Sequence, residues 1–503
     1  MRKLICVLMF SFAVLSIISA KEYNIMDFGA VNDTAFISTQ AIQKAIDVCS
    51  QSGGGQVTIP AGSFKTGSIV LKSNVLFYLE NGAILYGSTN LKDYKRFKPE
   101  YISLRTQDST IQLIYAEKVN NVSISGFGTI DGQGRIFKKL TSNDEGITRP
   151  HLLRFISSSN IIVENITLMN SGCWMQHYLA CDKVQIRGLR VFNRNNFNND
   201  ALDLDGCRNV TVSDMISDSD DDGITLKSTS PRPCENISIT NCVVSSRCNG
   251  IKLGTESNGG FRNISISNCI VKPSEIKSKG FYGMESGRSG IALEIVDGGI
   301  MEGITISNIC IEGTESPLFI RLGNRARPYK EGLKVENVGS ISDININNIR
   351  VKGTGKTGSS ISGLPGFPVK NVRLSNFDCS FSGGGTTEDI NREIEEKPGS
   401  YPEATMFGTL PAYGIYLRHV SGICIDGIQL TTLEGDMRPA LYLEDVSKSN
   451  INNFHLNRYP EASESILIKN SHEILIGNDM LTNKSKKIVK LIGNDNQGIS
   501  FLK

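Results

Sequence analysis

The chain has 503 residues, and its 53 Lys and Arg against 51 Asp and Glu leave a formal net charge of only +2, so no strong field draws it toward nucleic acid or an acidic membrane. Glycine is abundant (49), proline scarce (15) and tryptophan present once, which is not the profile of a helical enzyme. Beyond the N-terminus, no stretch is apolar enough to predict a transmembrane helix.

The first 20 residues are typical of a secretory signal peptide. Arg2 and Lys3 precede a short apolar run over residues 4–18, and small residues follow it. We therefore expect residues 1–20 to be removed and the mature protein to be periplasmic or secreted. A membrane anchor is the alternative, which the short apolar run disfavours. Residues 21–503 are predicted to form one domain.

Residues 37–51 carry apolar side chains at helical spacing, which predicts a short helix near the start of the mature chain. The apolar positions are Ile37, Ala41, Ile42, Ala45 and Ile46. The strands that follow would leave an open edge at this end, and open strand edges invite aggregation. We therefore expect the helix to cap the strands.

A short motif recurs through the rest of the chain, with Asn or Gly on either side of alternating apolar residues. Copies at 209–214, 236–241 and 263–268 are 27 residues apart, and later copies are 40 apart, as if loops were inserted. Alternation indicates strands, and this repeat length indicates a solenoid. The predicted fold is all-β: a single-stranded right-handed parallel β-helix with a short N-terminal capping helix. A β-propeller needs longer repeats of four strands each.

The 12 cysteines have irregular spacing, which argues against a full disulfide framework even in an exported protein. Several lie in or beside predicted strands, and we interpret most of them as small buried packing residues. This group comprises Cys207, Cys242, Cys269, Cys310, Cys379 and Cys424. No cysteine or histidine spacing suggests a zinc site.

Three consecutive carboxylates, Asp220, Asp221 and Asp222, are the most informative feature of the chain. Asp200 lies 21 residues before Asp221, so one turn of a solenoid would bring it beside Asp221 and Asp222. Neighbouring acids raise one another's pKa, and two acids with separated pKa values suit acid/base hydrolysis. A calcium cluster or a solvated turn is the alternative. We expect Asp220 to point outward.

The adjoining coils carry further polar residues. Asp203 and Asp205 are expected on turns or in structural contacts. The next coil would bring Asn249 and Lys252 to the same face as the acids. Trp174 and His177, one coil earlier, are candidate ligand-binding residues, since an aromatic ring can stack on a flat or ring-shaped ligand. Partly buried packing is the alternative for Trp174.

These motifs, taken in order, resemble glycoside hydrolase family 28, the polygalacturonases and their relatives. The matching segments are Tyr23–Ala30, Gly53–Pro60, Leu79–Ala83, Asn198-Asn199-Asp200 and Asp221-Asp222. The resemblance covers most of residues 21–480. It implies a pectic substrate and inverting hydrolysis without a metal or cofactor. It also implies that Asp221 is the proton donor, while Asp200 and Asp222 hold and deprotonate water.

Inverting hydrolases need about 6.5–9.5 Å between acid and base so that water fits between base and sugar. Two family motifs differ here. The family's Gly-His-Gly is Cys248-Asn249-Gly250, and Asn249 could hydrogen-bond the acids but cannot titrate. The family's Arg-x-Lys, which holds a galacturonate carboxylate, falls by our placement at Ala292 and Glu294, after an apparent insertion over 271–290.

These differences leave two substrates open: a uronic acid held by other cations, or a neutral sugar such as rhamnose. The candidate cations are Lys252, Arg288, Arg321 and Arg325. Residues 353–410 look like long loops, and the aromatic segment 401–414 favours a cleft closed at one end, as in an exo-acting enzyme. A calcium-dependent pectate-lyase-like protein and a non-catalytic glycan-binding protein are the other hypotheses. We expect a monomer with a pectic substrate and no nucleic-acid partner.

Overall fold

The computed structural model describes residues 21–142, 144–277, 279–283, 285–457, 464–477 and 488–502. The predicted signal peptide lies outside these residues. Within them the chain forms the predicted right-handed parallel β-helix. Among the residues that the structure describes, no helix is both long enough and apolar enough to cross a membrane.

Thirty-seven strands are found in the described part of the chain, and β7 with β8 makes the one antiparallel strand pair there. The strands are β1 Glu22–Asn24, β2 Gly55–Ile59, β3 Gly62–Thr66, β4 Ile69–Val70, β5 Val75–Leu79, β6 Ala83–Gly87, β7 Arg96–Phe97, β8 Thr110–Glu117, β9 Asn120–Gly126, β10 Thr129–Asp131, β11 His151–Ile156, β12 Ser159–Glu164, β13 Thr167–Met169, β14 Gln176–Leu179, β15 Asp182–Arg187, β16 Arg190–Asn193, β17 Leu202–Asp205, β18 Arg208–Ser213, β19 Ile216–Ser219, β20 Ile224–Ser228, β21 Cys234–Thr240, β22 Val243–Ser246, β23 Asn249–Ser257, β24 Gly260–Lys272, β25 Gly287–Ile295, β26 Ile300–Glu312, β27 Thr314–Leu322, β28 Ser340–Thr354, β29 Ser359–Ser362, β30 Val369–Phe381, β31 Ile415–Ser421, β32 Cys424–Thr432, β33 Leu441–Leu456, β34 Ile466–Lys469, β35 His472–Gly477, β36 Val489–Ile492 and β37 Ser500–Leu502.

The helices are short and few. The α-helices are α1 Thr39–Gln51 and α2 Thr387–Ile390, and 3₁₀ turns occur at Ile25–Phe28, Leu91–Asp93, Leu104–Thr106 and Gly134–Ile136. The predicted N-terminal helix is α1. It buries Ala41, Ile42, Ala45, Ile46 and Cys49, and these side chains belong to the main core of the β-helix.

The strands stack in three parallel ladders. The first runs β4, β8, β11, β14, β17, β20, β23, β25, β27, β29, β31, β33, β34, β36. The second begins β1, β2, β5, β9, β12, β15, β18, β21 and the third β3, β6, β10, β13, β16, β19, β22. From β24 onward one long strand often serves both the second and the third ladder, because β24 pairs with both β21 and β22.

The alternating motif builds the core because equivalent apolar residues stack on successive coils. In the second ladder the column includes Val210, Ile237 and Ile264, which are aligned in register and buried. The asparagines that begin these copies adopt the left-handed conformation, as at Asn236 (φ 58°) and Asn263 (φ 52°). The amide of Asn263 also donates to the side-chain oxygen of Asn236 (3.3 Å), so the corner residues hydrogen-bond from coil to coil.

Two expectations need correction. Cys310 is exposed, because it lies on the outward face of β26, whereas the other described cysteines are buried or, for Cys424, half-buried. Residues 353–410 are not loops throughout, since β29 and β30 continue the ladders there; only the stretch after β30 is a long excursion, broken by α2. The described cysteines are all free thiols.

Candidate active site

Asp200, Asp221 and Asp222 lie in the bends that lead from the third ladder into the first. The bends are stacked by backbone hydrogen bonds, as where the amide of Ala201 donates to the carbonyl of Asp222 (3.0 Å). The structure thus brings together the three acids that the repeat length predicted to be neighbours. They open into a cavity of about 360 Å³ lined by Arg105, Glu145, Trp174, Asn198, Asp200, Asp221, Asp222, Lys227, Cys248, Glu256, Tyr282, Arg288, Arg327, Tyr401 and Glu403.

Asp222 is held in its ionised form. The side-chain amide of Asn249 donates to one carboxylate oxygen of Asp222 (2.7 Å), and the ammonium of Lys252 lies 3.3 Å from the other. Burial alone would raise the pKa of Asp222, but Lys252 and Lys227 outweigh it and keep that pKa below its ordinary value. Asn249 therefore supports an acid here by hydrogen bonding, as we expected.

Asp221 is one of the acids whose pKa is raised, in contrast to Asp222 beside it. Burial and the adjacent Asp222 carboxylate raise the pKa of Asp221 to about 6, although Lys252 opposes the shift. Adjacent residues in the sequence thus have pKa values displaced in opposite directions. This separation is what a proton donor and a base require when they act at one bond.

Asp200 and Asp203 share one cation, Lys227. The ammonium of Lys227 lies 3.6 Å from Asp200 and 3.4 Å from Asp203. Burial, with Asp203 and Asp221 adding to it, raises the pKa of Asp200 well above its ordinary value. The pKa of Asp203 is raised to about 7, again chiefly by burial. Asp203 is therefore part of the site, which the sequence did not reveal.

Trp174 lines the cavity beside two cations. The guanidinium of Arg105 lies 4.7 Å and the ammonium of Lys227 4.8 Å from the centre of its ring. Only 3% of the residue is exposed, so the ring mainly supports these cations. Glu256 receives hydrogen bonds from both Arg105 (2.8 Å) and Arg327 (2.6 Å), which joins the two guanidinium groups at the rim of the cavity.

The far wall comes from two excursions between strands. The segment between β24 and β25 contributes Tyr282, and the segment after α2 contributes Tyr401 and Glu403. Arg288 forms an ion pair with Glu403 (3.1 Å), which links the two excursions across the opening. Tyr401 and Glu403, at the start of the stretch 401–414, therefore form part of the cavity wall.

Lys252, His177 and Arg321 were predicted to bind substrate, and the structure places all three away from the cavity lining. Lys252 is buried between Asp222 and Glu294, so its ammonium group pairs with these acids. His177 is fully buried and contacts Asp205 (3.2 Å), and burial lowers the pKa of His177 to about 4.

Arg321 is buried on the outer face of β27. Its guanidinium donates to the carbonyls of Gly363 (3.0 Å) and Glu396 (2.5 Å), so it anchors the excursion that follows α2. Arg325 pairs with Asp297 rather than facing the acids. Of the predicted cations, Arg288 alone lines the cavity in the part of the chain described here.

Asp220 does not point outward. It is buried and forms an ion pair with Arg247 (2.6 Å) on the side of the bend away from Asp221. Asp205 is in a structural contact, as expected, because it accepts hydrogen bonds from the amide (2.9 Å) and hydroxyl (2.6 Å) of Thr229.

The cavity residues that the sequence did not predict are Arg105, Glu145, Lys227, Cys248, Glu256, Tyr282, Arg327 and Glu403. Asp203 contacts one of them, Lys227. Lys227 could have been found, because it lies on β20 in register with Asp205 of β17, one coil away. Arg105 and Arg327 come from segments outside the ladders, so the repeating motif does not predict their positions.

A calcium site fits this donor set poorly. Within the described chain, Asp221, Asp222 and Cys248 form the single group of three potential ligands, with their ligand atoms within 4.8 Å of one another. A thiol is not a calcium ligand, and calcium takes six to eight oxygens. The ammonium of Lys252 already lies against Asp222. The calcium-dependent lyase hypothesis therefore loses support.

The buried acids predict lower stability at alkaline pH. Burial raises the pKa values of Asp221, Asp203 and Glu294 to about 6, 7 and 8. Between about pH 4 and these values the folded chain holds protons that the unfolded chain has lost, so stability falls as pH rises. We expect the apparent Tm to be about 5 °C lower at pH 8 than at pH 5 by calorimetry.

Glu294→Gln is a suitable comparison for this effect, because it removes the carboxyl with the highest of the three values. The decline between pH 5 and pH 8 should be shallower in this variant. An apparent Tm that is equal or higher at pH 8 in the unmodified protein would contradict the expected protonation of these acids. The lowered pKa of Asp222 acts in the opposite direction, but below about pH 4.

Comparison with known families agrees with the fold and with the order of the motifs. The family model for glycosyl hydrolases family 28 matches residues 49–397. The chain belongs to glycosyl hydrolases family 28. The resemblance found in the sequence is thereby confirmed.

Similar proteins include a probable polygalacturonase from Vitis vinifera, 31% identical over 219 residues, which are 42% of this chain and 45% of that protein. An exo-poly-alpha-D-galacturonosidase from Dickeya chrysanthemi is 35% identical over 157 residues, 29% of this chain and 26% of that protein. The matches thus span less than half of both relatives. A hyperthermoactive exopolygalacturonase from Thermotoga maritima has a similar fold, with a TM-score of 0.60 and 23% identity over 72% of this chain and 87% of that chain.

Proposed function

We propose that this family 28 protein is an exo-acting, inverting hydrolase that releases galacturonate from the end of pectic chains. The observation that carries the proposal is the contrast between Asp221, with a raised pKa, and Asp222, with a lowered one, in a single cavity. The names of the similar proteins from Vitis and Dickeya support a galacturonan substrate. Export from the cytoplasm and one catalytic domain over residues 21–503 are part of the same proposal.

In the proposed reaction, Asp221 donates its proton to the glycosidic oxygen as that bond breaks. Asp222, ionised beside Lys252, accepts a proton from the attacking water, whose oxygen forms the new bond to the sugar carbon. Asp200 holds the water by a hydrogen bond. At the end Asp221 has lost one proton and Asp222 has gained one, and exchange with solvent restores both.

The sugar carboxylate would be held by cations at the rim of the cavity. Arg105, Arg288 and Arg327 line the opening with side chains that are 25%, 24% and 38% exposed, so each can reach a ligand. Arginine is well shaped for a bidentate grip on a carboxylate. We assign to these arginines the role that the family gives to its Arg-x-Lys, because by our placement that motif is Ala292 and Glu294 here.

The closed side of the cavity supports exo action. Tyr401 and Glu403 stand at one side, and the Arg288–Glu403 ion pair joins that wall to the segment carrying Tyr282. If the polymer ran through the cavity as through an open groove, this wall would block its path. We therefore expect single sugars to be released from a chain end.

A second candidate is a family member that cleaves a neutral sugar, such as rhamnose from rhamnogalacturonan. By our placement Ala292 and Glu294 of β25 occupy the positions of the family's two cations, and the observation favouring this candidate is that both residues are fully buried. The same cleavage machinery would then serve a substrate whose sugar at this position bears no carboxylate.

Incubation with a panel of oligosaccharides tests the proposal. The panel contains trigalacturonate, its methyl ester and a rhamnose-containing pectic oligosaccharide, and products are identified by chromatography and mass spectrometry. We expect galacturonate monomer from trigalacturonate and a rate about 100-fold lower for the ester, since esterification removes the charge that the arginines bind. Release of rhamnose would favour the second candidate, and an unsaturated ultraviolet-absorbing product would show a lyase.

A further inference from the structure

Asp220 ties down the segment between β24 and β25. Its carboxylate receives a hydrogen bond from Arg247 (2.6 Å) and another from the backbone amide of Phe281 (2.6 Å). Arg247 in turn donates to the carbonyl of Ile276 (2.8 Å). The buried Asp220–Arg247 pair therefore holds this segment at two points, near its beginning and immediately before Tyr282.

Tyr282 reaches the proposed proton donor from this segment. Its hydroxyl accepts a hydrogen bond from the backbone amide of Asn198 (3.3 Å), and Tyr282 and Asp221 line the same cavity. Burial and Asp222 raise the pKa of Asp221 overall, and a hydrogen bond from Tyr282 opposes that rise. The ring packs edge-on against Phe197, with centroids 5.6 Å apart. Because the hydroxyl oxygen already accepts from Asn198, its own hydrogen is available for the carboxylate.

We propose that Asp220 is a positioning residue that, through Arg247 and the segment ending at Tyr282, holds the Tyr282 hydroxyl against the carboxylate of Asp221. Tyr282 would stabilise the carboxylate that remains once Asp221 has given its proton to the glycosidic oxygen. The phenol keeps its own proton throughout, so the proton balance of the reaction is unchanged. Asp220 thus acts on Asp221 indirectly, through Arg247 and Tyr282.

This arrangement also limits how strongly burial raises the pKa of Asp221. The acids facing Asp221 are Asp200 and Asp222 with the Cys248 thiol, and the cations are Lys227, Lys252 and Arg288. The Tyr282 hydroxyl favours the ionised form of Asp221 by a hydrogen bond and introduces no charge. Removing that hydroxyl should therefore make Asp221 a weaker acid.

The inference rests on the proposed function only in taking Asp221 as the proton donor. Tyr282→Phe removes one oxygen from a side chain at the rim, and Asp220→Asn removes the charge that pairs with Arg247. For Tyr282→Phe we expect the alkaline limb of the kcat/KM profile to move up by about one pH unit and kcat to fall about tenfold. Asp220→Asn should cause a shift in the same direction.

The double variant tests whether the two residues act along one route. Its alkaline limb and kcat should match those of Tyr282→Phe alone, because Asp220 has no effect once the hydroxyl is absent. Tyr442→Phe and Glu302→Gln are matched controls, since Tyr442 lies on distant coils and Glu302 belongs to an exposed pair with Arg262. The inference would be overturned if the effects of the two substitutions on kcat multiplied in the double variant. It would also be overturned if the alkaline limb of the kcat/KM profile did not move in Tyr282→Phe.

Two measurements do not need turnover, so they separate this inference from the proposed function. Carbodiimide coupling followed by peptide mass mapping reports the protonated fraction of Asp221, and its midpoint should rise by about one unit in Tyr282→Phe. Trypsin should cleave after Lys277 or Lys279 several-fold faster in Asp220→Asn than in the unmodified protein. An unchanged coupling midpoint or an unchanged cleavage rate would contradict the inference even if the protein hydrolysed no pectic substrate.

Discussion

Asp221→Asn is expected to lower kcat by about 10⁴-fold while oligogalacturonide binding changes by less than about threefold. Asn keeps the shape of the side chain and can still donate a hydrogen bond, but it cannot transfer a proton to the leaving oxygen. The loss should therefore appear in kcat rather than in the dissociation constant. Calorimetric titration with trigalacturonate, beside the rate of galacturonate release, separates the two quantities.

Asp182→Asn is the matched control for this substitution, because Asp182 forms a partly exposed pair with Arg232 away from the cavity. Its kcat should stay near that of the unmodified protein. If Asp221→Asn also retained most of its activity, another residue would be the proton donor. Binding without turnover in both the variant and the unmodified protein would instead indicate a protein that only binds glycans.

Lys252→Met is expected to destabilise the protein by about 3–5 kcal/mol and to lower kcat at least about 100-fold. Methionine has a similar length but leaves the buried Asp222 carboxylate without its nearby cation. The pKa of Asp222 should then rise, and the base would be protonated at working pH. Denaturant unfolding gives the stability, and the pH profile gives the change in the base.

The pH dependence of this destabilisation has a defined direction. Because the folded-state pKa of Asp222 is lowered, its interaction with Lys252 contributes stability above about pH 4 and is lost as the pH falls through the folded value. The difference between Lys252→Met and the unmodified protein should therefore be largest near neutral pH and shrink in acid. A constant difference would show that Lys252 contributes by packing alone.

A second lysine provides the control for Lys252→Met. Lys469 pairs with Glu444 (2.8 Å), but its side chain is 37% exposed. Lys469→Met should cost less than about 1 kcal/mol, as is usual for exposed ion pairs. Glu294→Gln introduced with Lys252→Met should recover part of the stability but not the activity, since Asp222 would still lack its cation.

The parts of the fold that follow from a repeating pattern could be predicted from the sequence. The 27-residue spacing of the copies brings Asn249 beside Asp222 on the next coil. The separation of 21 residues, about one coil, predicts that Asp200 lies beside Asp221 and Asp222. The corner asparagines adopt the left-handed conformation that their side chains tolerate. In these places the residue type and its spacing determine the local geometry together.

The side-chain positions that the sequence did not predict depend on segments that leave the ladders. Arg321 has an outward position on β27, where a cation would ordinarily meet solvent, yet the excursion after α2 covers it. Asp220 turns away from its two neighbours because Arg247 lies on the other side of the bend. Tyr282 and Arg327 reach the cavity from connections whose paths no repeat specifies. Their contacts join residues far apart in the sequence.

The anomer of the first released sugar distinguishes inversion from retention of configuration. In the proposed reaction, water held by Asp200 and Asp222 attacks the face of the sugar opposite the bond that Asp221 protonates. Proton NMR during the first moments of trigalacturonate cleavage should therefore show β-galacturonate before mutarotation mixes the anomers. Initial release of the α-anomer would mean that configuration is retained, and it would contradict the proposed roles of these three acids.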